Sequence, residues 1–195
     1  MGYLILVLAL LLGACQTTPS IKASSSVAPY YKAISLSGRL SVSYQQQGKA
    51  QSLQGKFTWD QTANTTSIAL FTPLGQTIAQ IMIEPERAML QQTGETLRIA
   101  NDVNALTSDA LGWPLPVHGL KEWLQGFYTN ALGQQQVVMR DAQSGFIDNG
   151  WEVQYVLWQE DASGYRIPKR IDLKHFSKRH GEINLKIVLD SWTPK

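Results

Sequence analysis

Hydrophobic and polar residues alternate along most of the chain. In segment 36–44 every second position is apolar or small, and serines and Arg39 stand between these positions. Segment 53–60 repeats the pattern, with Phe57 and Trp59 on its apolar side. A period of two is typical of strands with one buried and one solvated face, whereas strands of a parallel sheet covered on both faces are continuously apolar. The pattern therefore predicts an antiparallel sheet.

Nine further segments alternate in the same way or form short apolar runs, and turn-forming pairs such as Asn149-Gly150 separate them. These segments are 68–71, 77–83, 88–91, 96–99, 135–140, 151–157, 165–167, 171–173 and 183–189. About ten or eleven short antiparallel strands favour a strongly curved sheet or a barrel. The predicted fold class is therefore mainly β.

One interval, 102–127, has helical spacing instead. Asp102 can cap a first helix, the segment Trp113-Pro114-Leu115-Pro116 forces an extended turn, and Gly126 can end a second helix. The apolar positions at helical spacing are Val103, Leu106, Ala110 and Leu111, then Val117, Leu120, Trp123, Leu124 and Phe127. Two short helices with apolar faces must bury them, and the concave face of a curved sheet is available. A helical lid over an apolar interior is expected.

The N-terminus has the features of an exported lipoprotein. The apolar run 3–12 is too short to span a bilayer, which needs about 20 residues, and it is typical of a signal peptide. Leu12-Gly13-Ala14-Cys15 is typical of a lipobox, in which Cys15 accepts a diacylglycerol; the alternative is a buried strand or helix with an ordinary buried cysteine. We expect a signal peptide over 1–14, a lipidated, flexible tether over 15–32 and one domain over 33–195. In bacterial lipoproteins, an aspartate directly after the lipidated cysteine favours retention in the inner membrane. Gln16 stands at this position instead, and the absence of aspartate favours the outer membrane.

Composition, charge and motifs exclude several classes of function. The 195 residues suffice for one domain, and 16% are charged, below the roughly 25% of an average protein. The net charge of +2 does not favour nucleic acid binding. Cys15 is the only cysteine, so no intramolecular disulfide can form. The chain has no G-x-S-x-G motif and no P-loop, and His175 and His180 lack a third ligand at a recognisable spacing. We expect no enzyme, no metal and no cofactor.

A basic stretch, 169–180, remains ambiguous. It could meet anionic headgroups or an acidic rim on a protein partner, or it could be a solvated strand face and turn. Its members are Lys169, Arg170, Lys174, His175, Lys178, Arg179 and His180.

Several segments together resemble the LolB family of outer-membrane lipoprotein receptors. They are GRL at 38–40, GKFTW at 55–59, FTPLGQT at 71–77, LGWPLP at 111–116, LKEWLQG at 120–126 and the closing strand that ends at 190–192. The resemblance runs over essentially the whole chain in the expected order. It implies an incomplete, half-open antiparallel β-barrel with a helical lid over an apolar cavity.

The resemblance also implies a function and its sites. A LolB-like protein accepts acylated lipoproteins from the soluble periplasmic carrier LolA and releases them into the inner leaflet of the outer membrane. Leu74, flanked by Pro73 and Gly75, matches the family's functional loop leucine and would touch the phospholipid bilayer; the alternative is that Leu74 folds back onto the core. The expected acyl-chain cavity is lined by Leu40, Val42, Phe57, Trp59, Ile81, Ile83, Trp113, Trp123 and Leu124. We expect a monomer, lipid-anchored at the periplasmic face.

Two other functions stay open. An outer-membrane-anchored lipoprotein could bind a free lipid or another apolar ligand without passing cargo on. A structural lipoprotein could instead dock a protein partner through an exposed sheet edge. An apolar loop tip at Leu74 speaks against the first, and a cavity in the core would speak against the second.

Overall fold

Antiparallel strands form most of the structure, a computed structural model that describes residues 26–138, 145–179 and 181–195. Ten of the described strands form one sheet in the order β6-β5-β4-β3-β2-β1-β12-β11-β10-β9, and β7 pairs with β8 in a separate hairpin. The sheet stays open, with β6 and β9 at its edges. The elements are β1 (Ile34–Gln46), β2 (Lys49–Gln61), β3 (Thr66–Phe71), β4 (Thr77–Glu84), β5 (Arg87–Gln92), β6 (Arg98–Ala100), α1 (Val103–Leu111), α2 (Val117–Trp123), β7 (Phe127–Thr129), β8 (Gln135–Val137), β9 (Gly145–Asp148), β10 (Trp151–Glu160), β11 (Arg166–Ser177) and β12 (Gly181–Pro194).

The fold class is confirmed: an open, mainly antiparallel β structure with two helices. The segments 165–167 and 171–173, expected as two strands, are one continuous strand, β11. Pro168 lies between them and cannot donate a backbone hydrogen bond. The pairing of β10 with β11 shifts register between Tyr155 and Trp158, beside this proline, so a bulge accommodates it.

The second helix is shorter than predicted. It ends at Trp123, and the backbone N–H groups of Gln125 and Gly126 donate to the carbonyls of Glu122 and Trp123 in a tighter turn. Gly126 has φ +85°, a conformation that suits glycine, and it redirects the chain. Phe127, expected on the helix, therefore begins β7.

The core lies on one face of the sheet. Inward side chains of the strands alternate with exposed ones, as in β1, and they meet the two helices in a single buried cluster. Trp59, Leu173 and Leu185 are among its fully buried members. The helices therefore cover the apolar face of the sheet, as the pattern predicts.

The last residues before β1 pack on the domain. The backbone N–H of Ala28 donates to the Arg166 carbonyl at 2.9 Å, and the Arg166 N–H donates to the Ser26 carbonyl at 2.8 Å. The Tyr31 ring packs edge-on against Trp192, with centroids 5.4 Å apart. A chain that begins at Ala23 therefore retains these contacts, and we expect it to fold. The predicted signal peptide, the lipobox with Cys15 and the first part of the tether lie outside the described residues.

No helix within the described ranges is long and apolar enough to cross a membrane.

Candidate functional site

The lid, residues 103–124, is held in shape by its own polar groups. The Asp102 carboxylate accepts hydrogen bonds from the backbone N–H groups of Asn104 and Ala105 at 2.8 and 3.4 Å, as predicted for the cap. The buried Thr107 hydroxyl accepts from the Leu115 N–H at 2.9 Å and donates to the Val103 carbonyl. This pair of bonds fixes the linker between the helices against α1.

Two side chains tie the end of the lid to the rest of the domain. The Tyr155 hydroxyl on β10 donates to the Trp123 carbonyl at 2.8 Å. Burial, with a further contribution from the charge of Glu122, raises the pKa of Tyr155 well above its usual value, so the hydroxyl stays protonated. The Gln125 amide donates to the Tyr31 carbonyl at 3.0 Å and accepts from the Tyr31 N–H at 2.9 Å. The lid is thus closed over the sheet by a few specific bonds.

A small apolar cavity of about 20 Å³ lies between the lid and the sheet. Its lining is formed by Leu40, Phe57, Trp59, Ile68, Leu70, Leu115, Leu120, Leu124, Leu185 and Ile187. One water molecule needs about 10–15 Å³ of cavity volume, so the cavity has room for about one water and cannot hold an acyl chain while the lid is closed. Leu115, Leu120 and Leu124 project from the lid segment into the same lining, and they fill the interior.

The structure divides the nine residues expected around the cavity into two groups. Leu40, Phe57, Trp59 and Leu124 line it. Val42, Ile81, Ile83, Trp113 and Trp123 are buried in the surrounding apolar cluster without lining it.

Sequence reasoning did not single out the other lining residues. Ile68 and Leu70 on β3, and Leu185 and Ile187 on β12, stand at every second position of their strands and are buried there, so the period of two could have assigned them to the face under the lid. Leu115 stands between two prolines and belongs to no periodic pattern. Its contact with the sheet therefore depends on the tertiary fold and could not be predicted from the pattern.

The loop 72–76 presents Leu74 to solvent. The Gly75 N–H donates to the Thr72 carbonyl at 2.9 Å, the Thr72 N–H donates to the Gln76 carbonyl at 2.8 Å, and the Thr72 hydroxyl accepts from the Gln76 N–H at 3.1 Å. Gly75 has φ +92°, which few other residues adopt at low cost. Leu74 is 92% exposed, so it does not fold back onto the core. The turn is fixed by the backbone, and its apolar tip is left uncovered.

The basic stretch 169–180 is not one surface. The Arg170 guanidinium pairs with Asp172 at 2.8 Å, and Arg179 pairs with Asp109 on α1 at 2.9 Å. The Lys169 ammonium donates to the Leu189 carbonyl, and the His175 ring stacks on Trp151 with centroids 4.9 Å apart. Lys174 and Lys178 are exposed, and His180 lies outside the described residues. Neighbours in sequence therefore contact different parts of the domain.

Two titratable groups near the lid, one on β9 and one on α2, have shifted pKa values. Burial raises the pKa of Asp148 and lowers the pKa of Lys121. In the part of the chain that the structure describes, no three His, Cys, Asp or Glu side chains are grouped to hold a metal ion.

Comparisons with known proteins converge on one family. The family model described as "Outer membrane lipoprotein LolB" matches residues 32–192. The outer-membrane lipoprotein LolB of Cupriavidus necator is 35% identical over 160 residues, covering 80% of this chain and 79% of the relative. That of Thiobacillus denitrificans is 33% identical over 187 residues, covering 95% and 93%.

A solved structure has a related fold. A DUF1329 family protein from Desulfovibrio piger superposes with a TM-score of 0.51 over 85% of this chain and 86% of that chain, at 10% sequence identity. At this identity the similarity concerns the fold alone.

Proposed function

This chain belongs to the LolB family of outer-membrane lipoproteins, and we propose that it is a receptor that takes acylated lipoproteins from the periplasmic carrier LolA and releases them into the outer membrane. It acts as a monomer, without a cofactor and without catalysing a reaction. Cys15 carries the lipid that holds it at the periplasmic face. The observation that carries the proposal is Leu74, an apolar side chain held in solvent at the tip of a fixed turn.

The physical problem is the hydrocarbon of the cargo. Each acyl CH₂ that leaves water contributes about 0.8 kcal/mol, so the chains cannot cross the periplasm exposed. The space beneath the lid is lined by apolar side chains alone. When the lid lifts, Leu115, Leu120 and Leu124 leave the concave face, and the acyl chains take their place. Cargo then passes from one apolar interior to the next without exposure to water.

Release requires contact with the bilayer, and Leu74 provides it. Burying one leucine contributes roughly 1.5–3 kcal/mol, enough to favour a contact and too little to make it permanent. Eleven peptide steps separate Cys15 from Ser26, a distance of at most about 40 Å when extended. A flexible tether of this length lets the folded domain move at the membrane surface.

A transfer experiment tests the proposal. The lipid-free chain from Ala23 onward is mixed with LolA that holds a radiolabelled triacylated lipoprotein, and liposomes are then added. We expect the label to move to the wild-type domain and on to the liposomes. Leu74→Glu should still accept the label and fail to deliver it. Leu132→Glu is the matched control, because Leu132 is also an exposed turn leucine, at 81%, and it should deliver normally.

If the label stays on the carrier while both proteins are folded, the receptor function is wrong. Binding of a free lipid without transfer is then the better description, and a fatty acid titration would measure it.

A further inference from the structure

A groove, separate from the cavity beneath the lid, lies on the face of the sheet opposite the lid. It is open, has a volume of about 450 Å³ and is lined by four basic side chains, Arg39, Lys56, Arg170 and Lys186. Aspartate and glutamate are absent from its lining residues. Arg39 alternates with the inward residue Leu40 on β1, which places the groove on the face of the sheet away from the lid. We call this surface the basic groove.

The four cations come from four neighbouring strands. Arg39 on β1 lies directly opposite Lys56 on β2. On its other side Arg39 lies opposite Val188 on β12, and Val188 lies opposite Arg170 on β11. Like charges directly opposite each other destabilise a sheet. The pair Arg39 and Lys56 therefore opposes folding unless a negative group lies nearby.

Carboxylates compensate only half of this charge. Arg39 pairs with Asp190 at 3.0 Å and Arg170 pairs with Asp172 at 2.8 Å. Lys56 and Lys186 are exposed, and neither forms an ion pair with a described residue. The groove thus keeps a charge of about +2 at neutral pH, in a concave surface that concentrates its field.

The groove adjoins the Leu74 turn. Pro73 forms part of its wall, and Phe71, the last residue of β3, lies opposite Lys56 in the sheet. When Leu74 enters a bilayer, the lipid headgroups would therefore contact the basic groove. Because the groove faces away from the lid, this contact leaves the lid accessible.

We propose that the basic groove binds the phosphate of an anionic phospholipid headgroup while Leu74 enters the apolar layer, so that the receptor meets the membrane through a two-part surface. The proposal rests on the proposed function for the role of Leu74. An acidic protein surface could also meet these cations, but it would not explain why the groove shares a wall with an apolar turn.

The test measures vesicle binding by the chain from Ala23 onward. The vesicles are phosphatidylcholine alone or with about one-third phosphatidylglycerol, which supplies the negative surface potential. The double variant Lys56→Gln/Lys186→Gln removes the two unpaired charges of the groove. The control Lys174→Gln/Lys178→Gln removes the same charge from exposed lysines outside it, and thermal unfolding verifies that all variants fold.

We expect wild type to prefer the anionic vesicles, with binding that weakens as salt is added. The groove variant should lose about 25-fold in affinity for them, roughly 5-fold for each lysine near the surface, and keep its weak binding to neutral vesicles. The control should stay close to wild type.

Equal losses in the groove variant and the control, or no loss in the groove variant, would overturn the proposal. A groove variant that binds LolA more weakly and anionic vesicles normally would also overturn it, because the groove would then belong to the carrier interface. The two proposals can fail separately. If cargo delivery depends on Leu74 but not on Lys56 and Lys186, only the headgroup-binding role of the basic groove is refuted. If vesicle binding depends on these lysines but no cargo is transferred, only the receptor function is refuted.

Discussion

Tyr155 shows how single side chains hold the lid in place. It is buried in the sheet, and its hydroxyl reaches the carbonyl of Trp123, the last residue of α2. The same aromatic side chain packs on Trp158, with ring centroids 4.9 Å apart, so its position is fixed by neighbours on its own strand. One hydrogen bond therefore links lid closure to a rigid part of the sheet.

Tyr155→Phe should loosen the lid without removing the ring. A typical hydrogen bond contributes about 1 kcal/mol, and the unpaired Trp123 carbonyl adds to the cost. We expect the free energy of unfolding to fall by about 1–2 kcal/mol and a fluorescent fatty acid to bind more readily. Tyr165→Phe is the control, because Tyr165 is partly exposed in a turn. Unchanged stability together with unchanged fatty acid binding would show that this bond does not hold the lid closed.

The positions of individual functional residues could be predicted only in part. Leu74 is exposed, because a rigid turn with Pro73 and Gly75 leaves the residue between them at the tip, and its contact with a bilayer stays a prediction. The role of the basic stretch could not be predicted from the sequence, because neighbours in β11 point to opposite faces, and Arg179 beyond β11 pairs with Asp109 on α1. The cations of the basic groove are far apart in sequence, and only strand register brings them together.

At the scale of elements, the side chains of the lid fill most of the space between the lid and the sheet. Helix α1, which Asp102 caps, is joined to α2 by a linker whose Leu115 lies against the sheet, fixed through Thr107. The linker has no periodic pattern, so the burial of Leu115 could not be predicted from it, whereas the helices on either side could. Strand β9 was missed because it is short and has little alternation, and β7 because Phe127 continued a helical spacing.

Leu115→Ala should enlarge the cavity beneath the lid. Truncating a buried leucine costs about 2–5 kcal/mol, depending on how far the surroundings collapse. If the void persists, a fatty acid binds more tightly than in wild type, because less of the lid must be displaced. Denaturant unfolding and fluorescence titration measure the two effects.

Leu97→Ala is the matched control. Leu97 is 51% exposed, so its truncation should change the free energy of unfolding by less than about 0.5 kcal/mol. A Leu115→Ala variant that is destabilised but binds fatty acid no better than wild type would contradict the idea that lid side chains occupy the acyl-chain space.

At the scale of the whole molecule, the two faces of the sheet differ in chemistry. The face under the lid is apolar and closed, and the opposite face beside the Leu74 turn carries an open basic groove. The alternation of the strands predicted the sheet and its apolar face, because side-chain direction follows directly from a period of two. It could not predict the volume of the cavity, since a packed core and a cavity lining have the same apolar pattern.

Photo-crosslinking tests most directly whether cargo acyl chains occupy the space beneath the lid. Phe57, which lines the cavity and is 5% exposed, is replaced by p-benzoylphenylalanine, and the variant is irradiated during transfer from LolA. Phe176, 72% exposed, carries the same probe as the control. We predict crosslinks to the acyl chains of the cargo from position 57 and few from position 176. Crosslinks from position 176 alone, with transfer intact, would contradict the proposed place of the acyl chains.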